Sequence, residues 1–81
     1  MVVTIELFGT HRIKAETEVL TMTIDSESVV ADALDFVKSK HPDLHIDKES
    51  MLITVNRTVV PLNKHLKEND VIRFLPPIGG G

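Results

Sequence analysis

An α+β architecture, with one main helix covering one face of a mixed β-sheet, follows from three features of the 81-residue sequence. Apolar residues alternate with period two near both ends of the chain. A single stretch of helical period lies between them. Turn-forming residues separate the segments. One domain is the expectation at this length. Folding a chain so short removes only about 60% of its unfolded surface. A deep substrate pocket would consume scarce core, so the chain reads as something other than a self-contained enzyme.

Residues 2–8 open the pattern. Val3, Ile5 and Leu7 share one face, and Val2, Thr4, Glu6 and Phe8 share the other, which predicts a strand. Gly9-Thr10 breaks it, and the mostly polar residues 10–17 read as a turn or variable loop. Residues 18–24 alternate again, with Leu20, Met22 and Ile24 opposite Val19, Thr21 and Thr23. An antiparallel hairpin with the first strand is the natural pairing.

Asp25-Ser26-Glu27-Ser28 is a helix-start signal with Ser28 as the expected N-cap. Asp32 suits the positive end of the helix. Val29, Val30, Ala33, Leu34, Phe36 and Val37 then recur at three- and four-residue spacing, with Asp32, Asp35, Lys38 and Ser39 opposite them. These positions predict an amphipathic helix of about three turns. It stops near His41, because Pro42 disfavours a helical residue before it.

Residues 43–50 read as a polar connection. Met51-Leu52-Ile53-Thr54-Val55 reads as a buried strand, Asn56-Arg57 as a tight turn, and Thr58-Val59-Val60 as a short returning strand. Pro61 ends that strand or marks it as an edge. Residues 62–69 read as a loop or a single short turn. Val71-Ile72-Arg73-Phe74-Leu75 forms the last strand, with Ile72 and Phe74 inward. One helix covers one sheet face, and the other face meets water or partners. With the first and last strands paired in parallel at the centre, the β-β-α-β-β-β order is a β-grasp, or ubiquitin-like, roll. The domain spans 1–75, and 76–81 form an extended, flexible C-terminal tail.

Composition narrows the chemistry. The chain has no cysteine, which rules out disulfides and thiol nucleophiles and suits a reducing cytoplasm. Nine basic residues against twelve acidic ones give a formal charge of −3. No basic cluster of the kind that displaces counterions from nucleic acid is present, and a basic protein partner fits better. No leader, and no apolar run of about 20 residues for a membrane, is visible. His11, His41, His45 and His65 lack metal-ligand spacing, since Pro42 breaks the helix that would align His41 with His45. No metal and no bound cofactor are expected.

The distinctive segment is Phe74-Leu75-Pro76-Pro77-Ile78-Gly79-Gly80-Gly81. Two prolines cannot donate to a ladder, so they peel the chain off the sheet and keep it extended. The stretch from Pro76 to Gly81 can reach roughly 20 Å. Three glycines without Cβ can thread a narrow channel. The group so delivered is a carboxylate, a poor acyl donor until ATP converts it to an acyl-adenylate. A sulfur nucleophile or an amine could then take the acyl group. The chemistry needs Gly81 and its neighbour Gly80, and no other catalytic residue in this chain. Phe74 reads as core. Leu75 faces the other way, and with Pro76, Pro77, Ile78 and Gly79 it is a candidate partner contact. Arg57, at its turn, reads as a solvated charge.

These segments carry a resemblance. Val55-Asn56-Arg57-Thr58-Val59-Val60, Leu66-Lys67-Glu68-Asn69-Asp70 and the Phe74–Gly81 end resemble the MoaD/ThiS family of ubiquitin-like sulfur carriers, which includes the small subunit of molybdopterin synthase. That family has a Val-Asn turn, a Leu-x-x-Gly-Asp turn and a Phe-x-Pro-Pro-x-x-Gly-Gly end. Residues 1–50 fit by element order more than by motif. Gly9-Thr10-His11-Arg12-Ile13-Lys14 departs from the family's usual segment after the first strand. Asn69 stands where glycine is usual, and Asn is the next-best residue for left-handed backbone.

The resemblance implies a cycle. A ubiquitin-activating-like (E1-like) adenylating enzyme binds the tail and, with ATP, forms the acyl-adenylate of Gly81. A persulfide then yields a thiocarboxylate. The tail enters the molybdopterin synthase large subunit, in a heterotetramer of two large and two small subunits, and donates sulfur to precursor Z. Catalytic residues are expected on those partners. A carrier feeding thiamin synthesis or tRNA thiolation, and a protein modifier joined to lysines through Gly81, are the alternatives. A β-grasp module with an idle tail is the blandest.

Overall fold

Strands from opposite ends of the chain meet at the centre of the sheet. In the computed structural model, which describes residues 1–9, 13, 19–44 and 51–75, the elements are β1 (Val2–Leu7), β2 (Val19–Thr23), α1 (Val30–Lys40), β3 (Leu52–Val55), β4 (Thr58–Val59) and β5 (Val71–Leu75). The five strands lie in the order β2-β1-β5-β3-β4. β1 and β5 pair in parallel from Thr4↔Val71 to Leu7↔Phe74, and all other pairings are antiparallel. This is the expected β-grasp roll, with its hairpin and its central parallel pair.

The core lies between the sheet and α1. Val3, Ile5, Leu7, Ile72 and Phe74 are at most 1% exposed and meet Val30, Ala33, Leu34 and Val37 of the helix. Ile53 and Val55 extend this face, and Leu44 and Leu66 join the same cluster. Each such side chain contributes about 1.5–3 kcal/mol by leaving water. Phe36 is only partly buried and carries the Lys40 ammonium 5.6 Å from its ring centroid.

Some expectations need correction. Ser28 is not the N-cap. Its hydroxyl accepts from the Asp25 N–H at 3.1 Å and donates to Asp25 Oδ1 at 3.3 Å, closing a turn before the helix. The cap is Val29, extended at φ −124° and ψ 171°. A valine has no group to satisfy the early amides, so other parts of the chain do. The Val30 and Ala31 N–H groups donate to the Lys64 and Leu62 carbonyls, both at 2.9 Å. The Asp32 carboxylate accepts from the Val29 N–H at 2.8 Å. The helix start is thus seated on the 62–64 loop, a long-range contact that local sequence does not signal. At the other end the His41 N–H still reaches the Val37 carbonyl before Pro42, as expected.

β3 begins at Leu52, one residue after the expected start, and β4 ends at Val59, one residue early. Leu44 falls within the connection read as polar, yet it is buried in the core. Ile13 is helical where a turn or loop was expected, and the rest of 10–18 lies outside the described residues.

Two left-handed turns set the position of β5. Asn56 (φ 51°) and Arg57 (φ 72°) form the two-residue turn between β3 and β4. Positive φ at both positions matches the twist of a tight hairpin. Arg57 pays about 1 kcal/mol for it, because its Cβ crowds the carbonyl. Asn69 (φ 69°) adopts the left-handed backbone expected of it.

Asp70 joins the two turns. It is only 7% exposed. Its Oδ1 accepts from Asn56 Nδ2 and its Oδ2 from the Lys67 N–H, each at 2.8 Å. The Asn56 carbonyl Oδ1 accepts from the Val71 N–H at 2.9 Å, and the Asn56 N–H returns to the Val71 carbonyl at 2.9 Å. The motif residues Asn56 and Asp70 are therefore structural. They clamp the start of β5 between its neighbours.

Asp70→Ala should lower the free energy of unfolding by about 3 kcal/mol in urea titration, since two bonds to a buried carboxylate are lost. A loss below about 1 kcal/mol would contradict the clamp.

Candidate functional site

The expected tail residues follow β5 in the chain, so the site is built from β5 outward. Strand alternation sends Ile72 and Phe74 into the core and leaves Val71, Arg73 and Leu75 on the face away from α1, each partly buried. The inward assignment of Phe74 and the opposite facing of Leu75 both stand. Gly81, Gly80, Gly79, Ile78, Pro77 and Pro76 lie outside the described residues. The described part of the site is its root, Leu75, and the open sheet face around it.

One row of side chains crosses that face. The register places Val19 beside Glu6, Glu6 beside Arg73, Arg73 beside Thr54, and Thr54 beside Val59. Arg73 Nε donates to Glu6 Oε1 at 2.6 Å, with side-chain exposures of 22% and 30%. A charged pair this accessible adds little stability, but it fixes both side chains in the middle of the face. Apolar groups surround the pair. Val19 and Val59 are 48% and 61% exposed at the row's two ends. Leu52 pairs with Leu75 toward the tail and is 47% exposed, and Phe8, just past β1, is 37% exposed. The Leu52–Leu75 pair is the apolar part of this face that adjoins the expected tail.

Sequence reading named Leu75 and did not name the rest of this surface. The signal was available. Glu6 and Arg73 carry opposite charges at outward positions of the two strands expected to pair, and Phe8 shares the parity of Glu6. What parity does not supply is the register that brings Leu52, Val59 and Val19 alongside.

Among the described residues no group of three or more metal-ligating side chains is gathered. No described helix is long and apolar enough to cross a membrane. His41 caps α1 and His65 bridges to Val29, whereas His11 and His45 lie outside the described residues.

Comparison with known proteins adds four findings. The family model described as the ThiS family matches residues 5–81. The molybdopterin synthase sulfur carrier subunit of Haemophilus influenzae is 31% identical over 76 residues, covering 94% of this chain and 86% of that one. Among solved structures, the small archaeal modifier protein 1 of Methanosarcina acetivorans superposes with a TM-score of 0.82 at 28% identity, over 99% of this chain and 96% of that one. The complex of subunits 1 and 2 of the molybdopterin-converting factor from Helicobacter pylori 26695 contains a chain matching at TM-score 0.66 and 26% identity, over 100% of both.

The two faces of β5 should respond differently to truncation. Phe74→Ala should cost about 4 kcal/mol of stability by leaving a core cavity, whereas Leu75→Ser should cost about 1 kcal/mol. Equal losses in denaturant titration would refute the assignment of the two side chains to opposite faces.

Proposed function

This chain belongs to the ThiS family of sulfur carriers, and from that membership we propose that its Gly81 carboxylate is adenylated, becomes a thiocarboxylate and donates sulfur to precursor Z in molybdopterin biosynthesis. The observation that carries the reading is the 31% identity to a molybdopterin synthase sulfur carrier subunit across 94% of this chain. The geometry supports it. Phe74 anchors the strand in the core, and Leu75 carries the chain to an apolar rim. Six residues, Pro76 to Gly81, remain beyond that root, enough to reach roughly 20 Å into a partner.

The chemistry runs on partners. An E1-like adenylating enzyme binds the tail and lets the Gly81 carboxylate attack the α-phosphorus of ATP, releasing pyrophosphate. A persulfide sulfur then attacks the acyl carbon and AMP leaves. Cleavage of the resulting acyl disulfide by a thiol leaves the thiocarboxylate on Gly81. The molybdopterin synthase large subunit then receives the tail, with Leu75, Pro76, Pro77, Ile78 and Gly79 against its channel and Gly80 letting the tip through. Two carriers and two large subunits form the assembly, in the cytoplasm. This chain supplies the acyl group and the docking face and acts as a co-substrate.

Intact-mass analysis tests the reading. After incubation with the activating enzyme, ATP and a sulfur donor, the chain should show one oxygen replaced by sulfur, and a chain lacking Gly81 should not. No change with a demonstrably competent enzyme would refute it. Co-purification of another sulfur acceptor in place of a molybdopterin synthase large subunit would move the carrier to thiamin synthesis or tRNA thiolation.

The likeness to a small archaeal modifier protein supports a second reading, in which Gly81 is joined to target lysines. That reading expects higher-mass adducts in cells that disappear when Gly81 is deleted.

A further inference from the structure

The row across the open face contains a group that sulfur transfer does not use. Thr54 is 7% exposed, and its hydroxyl Oγ1 is buried without a hydrogen-bonding partner. A buried hydroxyl in that state has given up its bonds to water and received none in return. Thr54 lines a shallow depression of about 360 Å³ together with Arg57, Arg73 and Leu75. Two arginines thus border one hollow in a chain whose formal charge is −3.

Neither arginine is spent. A guanidinium has five N–H donors, and Arg73 uses its Nε on Glu6. Arg57 has no ion-pair partner among the described residues. It also occupies backbone at φ 72°, where glycine would sit without strain. An arginine in such backbone points to a use for its side chain.

We infer that this depression receives the carboxylate of an Asp or Glu side chain from a protein that grips the tail. The inference rests on the sulfur-carrier reading, because it needs a partner at the tail root. Carboxylate chemistry fits, since Arg57 brings to the hollow a positive charge uncompensated among the described residues, whereas Glu6 already balances Arg73 at 2.6 Å. A protein surface fits better than a free anion. The depression includes Leu75, whose neighbour Leu52 is exposed. A covering protein removes both from water and strengthens the charge pairing beside them, whereas a small anion leaves them exposed.

The test uses the full-length chain with the adenylating enzyme and the molybdopterin synthase large subunit of the same organism. Calorimetry measures binding to each partner, and ATP–pyrophosphate exchange follows adenylation. Arg57→Gly suits its backbone and keeps the fold, and it should weaken binding to at least one partner about tenfold, the loss of a charge-assisted bond. Thr54→Val removes the orphaned hydroxyl. It should raise the melting temperature while weakening the same binding about threefold, an opposition that a purely structural residue does not produce. Wild-type affinity for both partners in both variants overturns the inference. So does an Arg57→Gly effect confined to the KM for ATP, which would assign the hollow to a phosphate. If the wild-type chain is neither adenylated nor bound, the sulfur-carrier reading itself falls and takes the inference with it.

Discussion

The buried Asp70 carboxylate holds this fold in register. Through Asn56 it fastens the β3–β4 turn, and through the Lys67 amide it fastens the loop before β5. The Asp70 carbonyl accepts from the Thr4 N–H at 3.0 Å, and the neighbouring Asn69 N–H donates to Val2. One short segment thus aligns β1, β3 and β5. A slip of β5 by one residue would turn Phe74 to the open face and Arg73 into the core. The tail root, the ion pair and the apolar rim all depend on that alignment.

Much of this was readable in the chain. The alternation of Val3, Ile5 and Leu7 and of Ile72 and Phe74 identified both central strands and their inward faces. Asn56-Arg57 declared its turn, and Asn69 took the backbone that its residue type tolerates. These are local signals, and the structure agrees with them. The failures share a cause. Ser28 is a good capping residue, but the cap went to Val29 because carbonyls of the 62–64 loop already satisfy the first helical amides. Leu44 sits among polar neighbours, but the core reaches it. Contacts between distant segments overrode local preference in both cases.

The candidate site was half legible. A strand leading into prolines and glycines marked the tail, and parity separated Leu75 from Phe74. The surface beside Leu75 was signalled only by parity, because it is assembled from all five strands. Glu6 with Arg73, and Leu52 with Leu75, become neighbours only once the parallel pairing and its register exist. Motif matching also mixes two kinds of residue. Asn56 and Asp70 belong to the clamp, whereas the glycines carry the proposed acyl chemistry, and nothing in the linear pattern separates them.

The order in which the chain is made bears on quality control. Among the described strands, the one completing the centre of the sheet comes last in chain order. A product cut short before β5 lacks Ile72 and Phe74, two of its most deeply buried side chains, and has nothing to stand between β1 and β3. Such a fragment would leave an open sheet edge and part of the core in water. Interrupted synthesis therefore yields a chain open to proteolysis in place of a folded domain that lacks its central strand.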